Sequence, residues 1–87
     1  VSYNFSKSVP LEINVRGLFR EDAWEKVDKF IDDAVIVGYD TVKIIHGIGS
    51  GVLRDYIRRQ LSKDRRVVSF SRASPEDGGD GVTIVKL

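Results

Sequence analysis

The order in which the hydrophobic period changes limits the fold of this chain more than any other feature. Leu11, Ile13 and Val15 alternate with Glu12 and Asn14, the pattern of a half-buried strand. Trp24, Val27, Phe30, Ile31, Ala34 and Val35 then recur at three- and four-residue steps. That spacing predicts an amphipathic helix of about 17 residues closed by Gly38. "TVKIIH" (41–46) reads as a second, more buried strand, and Ser50 is placed to cap a second helix whose inward stripe is Leu53, Tyr56, Ile57 and Leu61. "VVSF" (67–70) is a third strand, "SPEDGGDG" (74–81) a loop by composition, and "VTIVKL" (82–87) a fourth strand. A β-α-β start implies parallel neighbours, and a last strand after a short loop implies an antiparallel one. The order β-α-β-α-β-β therefore predicts a two-layer α/β sandwich: a four-stranded mixed sheet with two helices on one face.

With 87 residues the chain can hold one modest core, and 41% hydrophobic with 31% charged residues is ordinary globular composition. There is no cysteine, which excludes disulfides, thiolate zinc sites and cysteine nucleophiles and fits a reducing, cytoplasmic compartment. No apolar run approaches the roughly 20 residues of a membrane span. Residues 1–10 are polar and end in Pro10, so they read as a linker or N-terminal arm, with the folded domain over 11–87. Val1 in place of methionine points to a piece of a longer protein.

The net charge of +1 conceals an asymmetry: residues 1–40 are net −3, whereas residues 41–87 are net +4. Within 54–72, seven basic residues (Arg54, Arg58, Arg59, Lys63, Arg65, Arg66 and Arg72) stand against two acidic ones, Asp55 and Asp64. Such a run is either a solvated helix face or the footprint of a polyanion.

The predicted topology says where that polyanion would be gripped. Parallel strands end at one edge of the sheet, which would carry Arg16 and Gly17 after the first strand, and His46 with Gly47, Gly49 and Gly51 after the second. If the fourth strand runs antiparallel beside the second, the glycine-rich 77–81 segment arrives there too. Backbone N–H groups in a glycine-rich turn at a helix start can cradle a phosphate. A guanidinium grips phosphate bidentately, and an imidazole titrates near neutral pH. The combination points to phosphodiester binding, with cleavage by water or by an RNA 2′-hydroxyl as its chemical extension. Plainer readings stand beside it. A lone histidine at a strand end commonly makes only a structural hydrogen bond, and glycines between strand and helix can be turn chemistry alone. Asp80 in "GGDG" reads as loop. "HGIGSG" lacks both the Walker lysine and the GxGxxG spacing, and one histidine without cysteine does not make a zinc site.

Taken in order, "LEINVRG", "IIHGIGSGVLR" and "GGDGVTIVKL" resemble the three signatures of the Smr (small MutS-related) domain over residues 11–87. The Arg form of the first motif and the spacing throughout look most like Smr domains at the C-terminus of bacterial MutS paralogues of the second type. The resemblance implies a fold like the C-terminal domain of translation initiation factor three. It implies binding to branched or structured DNA, or to RNA at the ribosome, beside a MutS-type ATPase region of the same chain. In many members it also implies endonuclease (nicking) activity, in recombination control or ribosome rescue. Carried over by position, Asn14, Arg16 and His46 would be catalytic. Gly47, Gly49, Ser50, Gly51, Arg54 and Arg58 would contact nucleic acid. No cofactor is required by the sequence and no metal ligand is assigned, although the chemistry leaves room for a divalent ion such as Mg²⁺. Asn14 stands where the family usually has Asp, and an amide can neither accept a proton as a base nor bind a metal as an anion. Asn14 favours one rival, a non-catalytic nucleic-acid-binding module, and the acidic face of the first helix suggests another, a protein-interaction domain.

Overall fold

The computed structural model describes residues 9–87, so most of the expected arm, residues 1–8, lies outside the described residues. Four strands and two helices follow in the expected order: β1 (Glu12–Asn14), α1 (Arg20–Val37), β2 (Thr41–Ile45), α2 (Val52–Ser62), β3 (Ser69–Arg72) and β4 (Val82–Lys86). Two single-turn 3₁₀ helices, Pro75–Asp77 and Gly79–Gly81, lead into β4. The sheet order is β1-β2-β4-β3, with β1 parallel to β2 and β4 antiparallel to both β2 and β3.

The register sets the two faces of the sheet. Val42 stands opposite Val85 and Ile44 opposite Thr83, so these side chains share one face. Val42, Ile44 and Val85 join Val27, Phe30, Ile31 and Ala34 of α1 and Ile57 and Leu61 of α2 in a single core. Both helices therefore cover the same face, and no described helix covers the other. No helix among the described residues is long and apolar enough to cross a membrane.

Local chemistry explains most boundaries. Helix α1 stops at Gly38, whose left-handed backbone (φ +88°) lets its N–H donate to the carbonyls of Ala34 and Val35. Arg20 lies over the ring of Tyr56 at 5.5 Å and ties the start of α1 to α2. Val35, expected on the inner face, is exposed instead, and Ala23 takes up the stripe one turn before Val27.

Two further expectations change. Helix α2 is not capped by Ser50, which is exposed; its N-cap is Gly51 at φ +87°, with no side-chain cap. Gly51 donates to the Ile48 carbonyl (2.9 Å), and its left-handed backbone would strain any residue with a side chain, so the turn into α2 favours glycine. Strand β3 starts two residues later than "VVSF", at Ser69, with Phe70 as its inward residue. Phe70 pairs with Val85 and packs against the core, while Val68 is exposed and adds one bond to the Lys86 carbonyl (2.8 Å).

A candidate phosphodiester site at the carboxyl edge of the sheet

The expected convergence is present. Beyond β2 the N–H groups of His46 and Gly47 both donate to the Gly81 carbonyl, at 3.1 and 2.9 Å, fastening the glycine loop to the turn that precedes β4. The approach is close: a Cβ on Gly81 would lie 3.4 Å from the Gly47 carbonyl carbon. A Cβ on Gly47, where φ is +81°, would lie 3.2 Å from Arg16 Cγ, so the Arg16 side chain runs directly across the loop. Arg16, the 47–49 loop and the 78–81 turn thus touch one another.

Asn14 and Arg16 form a unit. Asn14 Oδ1 accepts the Arg16 backbone N–H (3.0 Å) and the Arg16 Nε–H (3.2 Å). Arg16 is exposed and makes no ion pair among the described residues. The amide therefore aims the guanidinium without neutralising it, and leaves the Nη groups available for an anion. An aspartate in this place would offer the same acceptor together with a compensating charge.

The backbone around the loop supplies further donors. Among the described residues, no backbone acceptor engages the N–H groups of Ile48, Gly49, Ser50, Val52, Leu53 or Arg54; the first bond of α2 runs from the Asp55 N–H to the Gly51 carbonyl. Gly17 to Glu21 and His46 to Leu53 line a cleft of about 610 Å³ between the starts of α1 and α2. Two uncapped helix N-termini opening on one cleft, beside an unpaired arginine, suit a phosphate group.

His46 is placed differently from an exposed acid–base group. Its ring is 4% exposed, and both nitrogens are engaged. Nδ1 lies 2.9 Å from the Gly47 carbonyl, which can only accept, so Nδ1 carries the proton. Nε2 lies 2.7 Å from Thr83 Oγ1, and that oxygen in turn accepts the Arg58 Nε–H at 2.9 Å. The self-consistent arrangement is a neutral imidazole accepting the Thr83 hydroxyl proton at Nε2. Burial pushes the His46 pKa below its ordinary 6.5, opposed by the Gly47 carbonyl and helped by the charges of Arg58 and Arg54. The imidazole thus braces the loop.

Arg54 and Arg58, expected to track a nucleic-acid backbone, are both engaged within the fold, with Arg54 Nη2 lying against Gly51 of the loop. Both pair with Asp80, Arg54 through Nη1 and Arg58 through Nη1 at 3.2 Å, and Arg54 Nε also meets Asp55 at 2.9 Å. Asp80 is the hub of this cluster, and Thr83 links it to His46. The sequence pattern passed over both, because a loop aspartate and a threonine inside an apolar strand are each common on their own. Arg66 is likewise engaged, by Asp64 and Asp28 (both 2.7 Å) and Asp32 (3.8 Å). Four residues of the basic run, Arg59, Lys63, Arg65 and Arg72, remain exposed and outside any ion pair among the described residues. These, with Arg16, are the positive charges that a polyanion would meet uncompensated.

A lowered histidine pKa has a signed consequence for stability. As pH falls through 6.5 the unfolded chain takes up a proton that the buried imidazole still refuses, so folding weakens. Thermal melts are expected to be flat above about pH 7 on this account and to drop between about pH 6.5 and 5. His46→Gln should remove that slope while lowering stability overall. A second drop, nearer pH 4 and below, belongs to Asp64 and Asp80, whose carboxyls are held below the usual range with help from Arg66 and from Arg58 and Arg54 respectively.

No three His, Cys, Asp or Glu side chains stand together as metal ligands among the described residues. Glu21 is the carboxylate that lines the cleft, so a divalent ion there would draw most of its ligands from phosphate and water.

Comparison with known proteins agrees with the fold and the motifs. The family model described as the Smr domain matches residues 13–87. The chain is 51% identical over 76 residues to "Endonuclease MutS2" of Symbiobacterium thermophilum, covering 87% of this chain and 10% of that protein. It thus spans about a tenth of the length of such curated relatives. The crystal structure of the Smr domain of Thermus thermophilus MutS2 superposes with a TM-score of 0.87 at 42% identity, over 90% of this chain and 98% of that one. YdaL, a stand-alone small MutS-related protein from Escherichia coli, superposes with a TM-score of 0.83 at 30% identity, over 88% of this chain and 63% of that one. The chain belongs to the Smr domain family.

Proposed function

We propose that this Smr domain binds branched or structured nucleic acid through its phosphodiester backbone and nicks it, as one module of a longer, cytoplasmic MutS2-type ATPase. The observation that carries this reading is Arg16, aimed by Asn14 across Gly47 beside a loop rich in uncommitted N–H groups. The loop N–H groups would hold the ground-state phosphate. Arg16 would meet the charge that grows on the non-bridging oxygens as water, or an RNA 2′-hydroxyl, attacks phosphorus and a P–O bond breaks. His46 is a positioning residue here, holding the loop in shape through Gly47 and Thr83.

A second reading is favoured by one feature. With both nitrogens of His46 engaged and an amide at Asn14, the edge offers no free general base at either position. A binding module that positions the ATPase would need none. The two are separated by incubating the chain with supercoiled plasmid and with a structured RNA, with and without chelator, while titrating binding against salt. Nicked product with steeply salt-dependent affinity is expected. Salt-dependent binding without product would leave the module, and binding that ignores salt would overturn both.

A further inference from the structure

The cleft between the two helix starts is not lined as a phosphate site alone needs to be. Phe19 is 80% exposed, and Ile48 and Val52 on the opposite wall are 61% and 57% exposed. They come from three separate elements: the turn into α1, the glycine loop after β2, and the first turn of α2. Other exposed apolar side chains, such as Ile36 and Val68, lie outside this cleft.

Folding does not account for Phe19. It occupies the N-cap of α1, where Ser, Thr, Asp or Asn would bond a free helix N–H, and it provides no cap at all. Its neighbour Leu18 packs against the core, which turns Phe19 outward. Ile48 stands between two glycines of positive φ, exposed in the middle of the donor-rich loop. Three exposed apolar groups beside open N–H donors would gain nothing from a paired duplex, which presents phosphate, sugar and water to such a surface. An unpaired nucleotide is different. It carries a phosphate and, a few ångströms away, a flat base whose faces are free of a stack.

We propose that Phe19, with Ile48 and Val52, forms a platform for an unpaired base adjacent to the phosphate held by the 47–51 loop, so that Phe19 determines the preference for unstacked over paired nucleic acid. The inference rests on the phosphodiester-binding reading and adds the nucleotide's second handle. Arg20, held over Tyr56 and paired with Glu21 at 3.3 Å, lines the same cleft as Phe19.

The test uses two fluorescent DNA probes with equal numbers of phosphates, one a continuous duplex and one carrying a three-nucleotide bulge. Anisotropy titrations of the 87-residue chain give the affinity ratio between them. Wild type is expected to favour the bulge. Phe19→Ala should reduce that ratio about tenfold, the scale of one lost base–aromatic stack, and Phe19→Tyr should restore it. An unchanged ratio in Phe19→Ala, or a ratio near one in wild type with both probes bound, overturns the platform but leaves backbone binding intact. If wild type binds neither probe with salt dependence, the phosphodiester reading itself fails, and the platform with it. If sedimentation shows that Phe19→Ala dissolves a dimer while the ratio stays fixed, the patch is a contact between copies and the proposal is wrong.

Discussion

Arg16→Ala is expected to slow nicking by about 10²–10³-fold, the cost of removing one preorganised donor from the transition state of such a reaction. Binding should weaken less, by about tenfold, with the slope of log affinity against log salt falling by roughly one unit, as for one lost phosphate contact. The asymmetry follows from the geometry. The loop N–H groups remain in the variant and still hold the ground-state phosphate, whereas the guanidinium on Asn14 is the charged group positioned across the loop. Arg16→Lys should recover much of the binding and little of the rate, because an ammonium restores the charge but not the fork. Gel quantitation of relaxed plasmid and anisotropy at several salt concentrations would show both effects. Equal losses in rate and affinity would mean that Arg16 acts only in binding.

Asn14→Asp separates two consequences of a carboxylate at the same place. Paired with Arg16 at the distances now spanned by the amide, it would offset the charge offered to phosphate, and affinity is expected to fall severalfold. A rise in nicking rate despite weaker binding would show that the carboxylate does chemistry that Asn14 cannot.

What could be read from the sequence was local or topological. The β-α-β start, the stop at Gly38 and the meeting of three segments at one edge all follow from period, turn chemistry and strand direction, and the structure has them. What could not be read was who pairs with whom across the fold. The basic run over 54–72 looks uniform in sequence. Yet Arg54 and Arg58 find Asp80, and Arg66, in the turn after α2, finds Asp28 on α1. Charge partners are chosen by tertiary distance, which periodicity does not encode. His46 was visible as a singular residue, but its burial depended on register: position 46 continues the inward parity of Val42 and Ile44, and Thr83 faces it from the adjoining strand. Ser50 and Gly51 illustrate a competition between two local rules. A side-chain cap was available at Ser50, and the need for a left-handed turn at Gly51 prevailed.

Thr83→Val tests whether that hidden network holds the site. Thr83 is fully buried, and its hydroxyl is shared between His46 Nε2 and Arg58 Nε. Valine keeps the shape and the packing beside Ile44 but removes the only oxygen between two polar groups, Arg58 already having one buried nitrogen, Nη2, without a partner. Each group left unpaired costs about 1–3 kcal/mol, and a loss near 3 kcal/mol in total is expected. In a domain of this size that is a fall in Tm of roughly 12–24 °C. Thr83→Ser retains the hydroxyl and should lose only about 1 kcal/mol for the missing methyl. Urea melts give the stabilities, and ¹⁵N shifts of the His46 ring give the mechanism. In wild type Nε2 should be the unprotonated nitrogen, and in Thr83→Val that assignment should no longer be fixed. A Thr83→Val protein as stable as wild type would mean that the His46–Thr83–Arg58 chain is not what holds the loop. If Thr83→Ser instead nicks and binds nearly as wild type does while Thr83→Val loses both, the hydroxyl is what keeps His46, and through it the Gly47 backbone under Arg16, in the shape that receives a phosphate.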